Sequence, residues 1–345
     1  MAYTTIDKPS DYFTVFLRVG VYAGSGTTDF NIGFKPDLVW DKNRTGTSNH
    51  DLIDSVRGGG INLNTNDTSV DATGANVTSF LSNGFQITNF NDWGSDRNIV
   101  DWCWKAGGSA STNTSGSTNT SVSVNTDAGF SIVTYPGNST SGATFGHGLG
   151  VKPSMIITKA RTRLSMWNVY HKGLTNYTKG IYLNATDAEF AGGAFEDGEP
   201  NTNTFTLTNG THVNGNGETY VAYCFAEKKG YSKFGSYTGN GNADGTFVYL
   251  GFKPAFLIVK PIDATDNWVM FDNKRLGFNS STSPFNFYAN KNFAETTDTG
   301  QLDFVSNGFK IRNGGGTVNK TSTYIYMAFA EQPFVTSTGV PATAK

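Results

Sequence analysis

The stretch GFKPDLVWDK at residues 33–42 reappears twice, as GVKPSMIITK at 150–159 and as GFKPAFLIVK at 251–260. In each copy a glycine and a proline precede an apolar run that ends in a lysine. Proline gives no N–H to a β-ladder and belongs at the start of a strand or at a sheet edge, while glycine suits the turn before it. Each copy therefore predicts a turn followed by a buried β-strand.

A longer unit repeats around this motif. Each unit closes on an apolar, aromatic-rich segment, VDWCWK at 100–105, VAYCFA at 221–226 and YIYMAFA at 324–330. The segments LSNGF at 81–85 and VSNGF at 305–309 have a weaker echo in LTNG at 207–210. An Asn-Gly pair between apolar runs predicts a β-hairpin. Landmarks that recur at near-constant spacing predict an internal repeat.

The composition favours small β units over one large domain. The chain has 345 residues with 41 Gly, yet its 26 Phe, 15 Tyr and 6 Trp are enough to fill several cores. Helical periodicity is poor throughout. We therefore predict an all-β protein of three tandem homologous antiparallel β-sandwich or jelly-roll-like domains. The predicted boundaries are an N-terminal arm plus the first unit at 1–107, the second unit at 108–229, the third at 230–335, and a loose tail at 336–345.

The segment Ser109–Asn119 and the termini carry their own predictions. Ser109–Asn119 consists of Ser, Thr, Asn and Gly with one alanine, so it is a flexible linker or a loop. The arm contains Tyr12, Phe13 and Phe16, which are either an assembly contact or part of the first strand of the first unit. Because linked weak sites gain avidity in symmetric assemblies, we expect a homo-oligomer.

Charge and hydropathy exclude some partners. The formal net charge is −2 and the pI is about 6.1, so there is no basic field to attract nucleic acid. The start of the chain lacks the pattern of a secretory leader, and no apolar run approaches the length of a membrane span. We expect neither a nucleic-acid partner nor membrane insertion.

Catalytic and metal motifs are missing from the sequence. There is no Gly-x-Ser-x-Gly elbow, no His-Glu-x-x-His and no Cys-x-x-Cys. The prediction is a non-enzymatic protein with no catalytic residues, no cofactor and no metal. His50, aligned roughly with His171 and Asp272, is expected in a solvent-facing loop. The two cysteines, Cys103 and Cys224, occupy matching positions and are predicted to be buried and reduced.

Clustered carboxylates keep a carbohydrate-active depolymerase open as an alternative. They occur in two groups, the first at Glu189, Glu196, Asp197 and Glu199, the second at Asp263, Asp266 and Asp272.

Aromatic residues beside amides and carboxylates indicate a glycan-binding surface, because a sugar ring stacks on an aromatic face while its hydroxyls bind polar neighbours. Asn91, Asp92 and Trp93 form such a group in a polar turn. Trp167 and Trp268 lie at matching positions of the second and third units, and are either exposed stacking residues or core residues.

Several motifs together resemble repeat domains in virion proteins of tailed bacteriophages, including those of marine and freshwater cyanophages. They are the Gly-Phe-Lys-Pro motif, Ser-Asn-Gly-Phe, DSVRG at 54–58, WCWKAG at 102–107, GFSIVTY at 129–135 and GHGLG at 146–150. The resemblance implies a virion structural protein, assembled in the host cytoplasm with other virion proteins. A tail fibre or receptor-contacting appendage that binds a host-surface glycan is the first expectation. A head-decoration or tail-connecting protein without a receptor role is the alternative.

Overall fold

The fold is all-β and is built from antiparallel strands. The computed structural model describes residues 3–21, 26–88, 97–275, 285–297, 302–312 and 314–341. Within these ranges the helical content is one four-residue α-helix, α1, and one 3-10 turn at Pro9–Asp11. The class predicted from the turn-rich, aromatic-rich sequence is therefore confirmed.

The described residues of the first unit form nine strands in two sheets. The strands are β1 (Phe13–Val19), β2 (Thr27–Asn31), β3 (Leu38–Asn43), β4 (Asp51–Asp54), β5 (Ile61–Asn64), β6 (Ala72–Thr73), β7 (Val77–Leu81), β8 (Gly84–Thr88) and β9 (Asn98–Trp104). The large sheet has the order β1-β9-β3-β4-β5-β6, and the small sheet has the order β2-β8-β7.

The second unit adds two strands before its first repeated element. Its strands are β10 (Ser111–Asn113), β11 (Thr120–Asn125), β12 (Phe130–Pro136), β13 (Ala143–Gly146), β14 (Met155–Ala160), β15 (Asn168–His171), β16 (Lys179–Tyr182), β17 (Phe190–Ala191), β18 (Thr204–Leu207) and β19 (Thr219–Phe225). The helix α1 spans Thr211–Asn214. The large sheet has the order β10-β11-β12-β19-β14-β15-β16-β17, and β13 pairs with β18.

The third unit again contains a large and a small sheet. Its strands are β20 (Ser232–Thr238), β21 (Phe247–Tyr249), β22 (Phe252–Pro261), β23 (Val269–Asp272), β24 (Phe285–Tyr288), β25 (Thr296–Thr297), β26 (Leu302–Val305), β27 (Gly308–Ile311) and β28 (Thr323–Pro333). The orders are β20-β28-β22-β23-β24-β25 and β21-β27-β26.

The repeated motif occupies the same place in each large sheet. In all three units the motif strand (β3, β14 or β22) lies between the closing strand (β9, β19 or β28) and the strand that follows it in the chain (β4, β15 or β23). All residues of each motif strand are buried. The glycine before it has positive φ each time, 92° at Gly33, 70° at Gly150 and 81° at Gly251. The predicted turn and buried strand are confirmed. Glycine suits this turn because it adopts positive φ without steric cost.

The Ser-Asn-Gly-Phe segments form the predicted hairpins, β7–β8 and β26–β27. The turn assignment was wrong by one residue, because Leu81 pairs with Gly84 and the turn residues are Ser82 and Asn83. A Cβ atom built on Gly84 would lie 1.8 Å from the carbonyl oxygen of Phe30 on β2. Glycine is thus required for the close approach of the next strand, and not for positive φ.

All three large sheets contribute to one shared hydrophobic core. Trp102 of the first unit, Tyr223 of the second and Phe256 of the third belong to it. Each small sheet covers the opposite face of its own large sheet, which gives three separate outer cores. Along each closing strand, alternate side chains point into the shared core and into the outer core of that unit. Cys103 and Cys224 point into the outer cores. Both cysteines are buried and free.

Three segments whose structure the sequence left open are ordered parts of this fold. Ser111–Asn113 is β10, an edge strand of the second unit's large sheet, so Ser109–Asn119 is not simply a flexible linker. Val335 forms a bridge to Pro341, and the Ser337 N–H donates to Asp7 Oδ1 at 2.6 Å, so the tail expected to be loose is attached as far as Pro341. The arm forms β1, which pairs with β9 from Phe13 to Val19.

Among the described residues no helix is long and apolar enough to cross a membrane.

Candidate functional site

The residues predicted from the sequence as binding or assembly sites form two groups, of which the structure describes one. Asn91, Asp92 and Trp93 lie outside the described residues. The arm residues lie within the chain's own packing. Phe13 is buried and its ring stacks on that of Phe329, with the ring centres 5.1 Å apart. The ring centres of Phe16 and Phe30 are 5.7 Å apart, and those of Tyr12 and Tyr231 are 6.0 Å apart. Their aromatic rings therefore stabilise this chain, as expected for the first-strand alternative.

Trp167 and Trp268 are core residues, which was one of the two interpretations of their repeated position. Both are at most 1% exposed, so neither ring is available to a ligand. Each indole N–H donates to a carbonyl of the preceding unit, Trp167 to Asn64 at 2.8 Å and Trp268 to Tyr182 at 2.9 Å. These tryptophans join units.

The prediction that His50, His171 and Asp272 face solvent was wrong, because all three are at most 2% exposed. The sequence alignment misplaced His50, which lies at the position of Trp167 and Trp268. The residues matching Asp272 are His171 and Asp54, the last residues of β15 and β4.

These three matching positions bond one unit to another. Asp54 accepts from the Tyr223 hydroxyl at 2.8 Å, and Asp272 accepts from the Trp102 indole N–H at 3.1 Å. The His171 Nε2–H donates to the carbonyl of Tyr326 at 3.0 Å. The contacts run from the first unit to the second, from the second to the third and from the third to the first. These three polar residues therefore hold the units together.

Two of the clustered carboxylates line one cleft between the second and third units. The cleft has a volume of about 590 Å³, and its walls include Glu189, Asp263 and Thr323. Glu189 accepts from the Thr175 N–H at 2.9 Å, and Asp263 accepts from the Thr323 N–H at 2.9 Å. No cluster of three or more His, Cys, Asp or Glu side chains suited to a metal ion occurs among the described residues.

An exposed aromatic pair distinguishes the small sheet of the third unit. On β21 Phe247 is 46% exposed and Tyr249 is 48% exposed, whereas Val248 between them is buried in the outer core. Side chains of alternate strand residues point to the same face. Both rings therefore lie on the outer face of a sheet whose other face is firmly packed.

Charged side chains continue this face across the sheet. Phe247 pairs with Lys310 on β27, and Lys310 pairs with Asp303 on β26. Lys310 Nζ donates to Asp244 Oδ1 at 2.6 Å, and Arg312 Nε donates to Asp303 Oδ2 at 2.5 Å. We call Phe247, Tyr249, Lys310 and Asp303 the aromatic face. It combines two rings with an ammonium and a carboxylate.

Contacts at one end of the aromatic face fix the position of Tyr249. The hydroxyls of Tyr3 and Tyr249 lie 3.2 Å apart, and the Tyr3 hydroxyl also donates to the carbonyl of Gly251 at 2.8 Å. Burial and the hydrogen bond with Tyr249 raise the pKa of Tyr3. Lys233 Nζ lies 5.2 Å from the centre of the Tyr249 ring and donates to the Tyr249 carbonyl at 2.8 Å. The ring is held in place without being covered.

Comparison with known proteins assigns the chain to a family without a described activity. Residues 8–333 match a domain of unknown function. The chain belongs to the DUF7483 family. No curated protein matches the chain, and no solved structure matches it. The DUF7483 match extends over the described parts of all three units and includes the aromatic face.

Within this DUF7483 chain the aromatic pair is specific to the third unit. In the first unit the matching outer residues of β2 are Asp29 and Asn31, as shown by the pairing of Phe30 with Phe85. In the second unit Thr144 and Gly146 flank the matching Phe145. The sequence reasoning missed Phe247 and Tyr249. Their alternation with Val248 and Leu250, directly before the third copy of the motif, was the signal that could have identified them.

Proposed function

We propose that this DUF7483 chain is a virion structural protein of a tailed bacteriophage, a component of a tail fibre or another host-contacting appendage. It acts by binding and assembly, without catalysis, and its partners are other virion proteins and a glycan on the host surface. The resemblance of its motifs to repeat domains of phage virion proteins supports the virion role. The observation that carries the binding role is the aromatic face of the third unit.

The chemistry of the aromatic face suits a sugar. The apolar face of a pyranose ring stacks on an aromatic side chain, and Phe247 and Tyr249 offer two such rings on one strand. Sugar hydroxyls donate to carboxylates and accept from ammonium groups, which Asp303 and Lys310 supply. A site on a packed sheet loses little conformational entropy on binding. The face therefore fits a short glycan segment lying across β21, β27 and β26.

We also infer that the three units are homologous repeats of one β-sandwich. Their large sheets share the order first strand, closing strand, motif strand and hairpin. Matching positions carry matching contacts, such as Trp167 and Trp268 to the preceding unit. Superposition of the three units in an experimental structure tests this inference, and different strand connections in any unit would contradict it.

A glycan array tests the binding role. The wild-type chain is expected to bind a subset of host-surface glycans, and Phe247→Ala and Tyr249→Ala are each expected to weaken binding roughly fivefold, since an aromatic contact contributes on the order of 1 kcal/mol. The matched control is Phe293→Ala, because Phe293 is 51% exposed in the same unit but lies outside the aromatic face. Equal binding by all four proteins would contradict the assignment.

Antibody labelling of intact particles tests the virion role. Labelling of a tail appendage is expected, and labelling of the head would favour the head-decoration alternative. Particles without label would contradict both.

The cleft that contains Glu189 and Asp263 supports depolymerase activity as a second candidate. A glycosidase needs two carboxyl groups on either side of the bond that is cleaved. Incubation of the glycans bound on the array with wild-type protein and with Glu189→Gln separates the candidates. Release of reducing ends by the wild type alone would favour hydrolysis over binding.

A further inference from the structure

The strand β1 has one open edge. It is the first strand in the order β1-β9-β3-β4-β5-β6, so among the described residues its ladder partner is β9 alone. An open strand edge presents backbone groups that can pair with another strand, and proteins usually protect such edges with charges, prolines or bulges. β1 has the sequence FTVFLRV and pairs with β9 without a register shift. Its composition offers little of this protection.

The one charge on β1 does not protect the edge. Arg18 is 7% exposed, and its guanidinium bonds to Asp101 at 2.8 Å and to Asp41 at 3.2 Å within the chain. Leu17 and Val19 are instead 37% and 55% exposed. They are the apolar side chains that a partner strand would cover.

The direction of the backbone groups defines which residues are available. The Tyr12 carbonyl accepts from the Lys105 N–H at 2.9 Å, and the Gly20 N–H donates to the Arg97 carbonyl at 2.7 Å. In an antiparallel ladder, backbone groups of successive residues point to opposite edges of the strand. Even-numbered residues of β1 therefore bond to β9. Odd-numbered residues, including Val15, Leu17 and Val19, point their N–H and C=O groups to the open edge.

In the second unit the matching edge is occupied by a strand. There β12 matches β1, and β11 pairs with it antiparallel, with Thr134 opposite Ser121. By the ladder alignment Thr134 is the counterpart of Leu17. The third unit has the matching strand β20 at its edge, but β20 carries Lys233 and Gly235. Of the three matching edges, that of β1 is neither occupied by a described strand nor protected.

We propose that β1 pairs antiparallel with β1 of a second copy of this chain, about a two-fold axis at Leu17. The start of β1 faces a crevice lined by Asn273 and Lys274 of the third unit, so the part of β1 left for pairing begins at Val15. An axis at Leu17 places the two Leu17 residues opposite each other and Val15 opposite Val19. These facing pairs are apolar, and the exposed areas of Leu17 and Val19 are covered. A self-complementary contact of this kind forms closed two-fold dimers.

Proline variants test the dimer. Leu17→Pro removes an N–H that points to the open edge, so the chain keeps its ladder with β9 and is expected to become a monomer by light scattering, whereas the wild type is a dimer. Ser236→Pro at the matching position of β20 is expected to stay dimeric. Should Leu17→Pro fail to fold, the double variant Leu17→Lys with Val19→Lys is expected to give a folded monomer. A wild type that is monomeric at high concentration, or a dimer that survives these changes, would overturn the proposal.

Disulfide trapping tests the position of the axis. Leu17→Cys places two thiols opposite each other at the axis, and directly opposed residues of this kind have Cα atoms about 5.5 Å apart, which a disulfide can span. Mild oxidation is expected to give a covalent dimer with Leu17→Cys and not with Val19→Cys. The native Cys103 and Cys224 are buried and do not interfere. Cross-linking of Val19→Cys without cross-linking of Leu17→Cys would overturn the proposed pairing.

Discussion

The lysine that ends each copy of the motif is buried, and its ammonium group bonds to backbone carbonyls. Lys42, Lys159 and Lys260 are all 0% exposed. Each Nζ donates to the carbonyl of the next residue, at 2.9, 3.0 and 2.7 Å respectively. Lys159 also reaches the Thr68 carbonyl of the first unit at 3.2 Å, and Lys260 reaches the Thr186 carbonyl of the second unit at 3.2 Å. The repeated lysine thus satisfies backbone acceptors, two of them across unit boundaries.

Because of these lysines, we expect the free energy of unfolding to rise as the pH increases above about 8. Burial lowers the pKa of Lys42, Lys159 and Lys260 from 10.5 to about 8. Between these values the unfolded chain binds more protons than the folded chain, so raising the pH favours folding. The buried thiols of Cys103 and Cys224 and buried tyrosines such as Tyr170 have raised pKa values, so they oppose this effect, the thiols above about 9 and the tyrosines above about 10. Urea unfolding at several pH values from 8 to 10 measures the trend. A triple Lys→Met variant should lose most of the slope, and an unchanged slope would contradict this assignment.

Buried histidines predict loss of stability in acid. His171 Nδ1 accepts from the Gly173 N–H at 2.9 Å and His147 Nδ1 accepts from the Leu149 N–H at 3.2 Å, so both rings are neutral acceptors. Burial lowers the pKa of each from 6.5 to about 4. Below pH 6.5 the unfolded chain therefore binds protons first, and stability falls towards pH 4. Asp51, whose pKa burial raises to about 6, acts in the opposite direction.

The acid prediction is checked by urea unfolding from neutral pH to about 4, with His171→Gln for comparison. Glutamine does not titrate, so this variant should be less stable than the wild type at neutral pH and should lose less stability in acid. Parallel pH profiles for the two proteins would show that His171 does not contribute.

At the scale of the strands, a glycine controls how closely the small-sheet strands approach. A Cβ on Gly308 would lie 2.0 Å from the carbonyl oxygen of Val248, and one on Gly84 would lie 1.8 Å from that of Phe30. Gly210, whose Asn-Gly pair was predicted to form a hairpin, instead lies between β18 and α1, and a Cβ there would meet only the Thr208 hydroxyl at 3.3 Å. We expect Gly84→Ala and Gly308→Ala each to lower the free energy of unfolding by about 1–3 kcal/mol, as overpacking does. Gly210→Ala is the control, because a Cβ at that position meets no backbone atom, and it is expected to lower the free energy of unfolding less than either variant does.

Strand positions were predictable from the sequence because alternation and turn residues are local signals. The buried strand that follows Pro36 and Pro153 and contains Pro254, and the hairpin at Ser82, follow from such signals. The aromatic face was not found from the sequence, because an aromatic residue at an alternating position has the same sequence pattern whether its face is exposed or packed. Phe247 is exposed and Phe309 on the neighbouring strand is buried. Only the packing of the sheets in the folded chain shows which face of a strand is exposed and which is buried.

At the scale of the whole molecule, the three units close into a ring around the shared core. Sequence repetition predicted separate domains with separate cores, since an apolar face has the same pattern whether it packs on its own unit or on another. The contacts from Asp54 to Tyr223, from His171 to Tyr326 and from Asp272 to Trp102 link every pair of units. Each unit without its neighbours would expose the large-sheet face that now forms the shared core.

The shared core predicts that the chain unfolds as one cooperative body. Calorimetry is expected to give one transition whose measured enthalpy equals the van't Hoff enthalpy. Trp102→Ala in the shared core should cost about 3–5 kcal/mol and move this transition without splitting it. The isolated segment 108–229 should show no cooperative transition, because its share of the core, including Tyr223 and Phe225, would face water. Three separate transitions, or cooperative melting of that segment alone, would show instead that the units are independent domains.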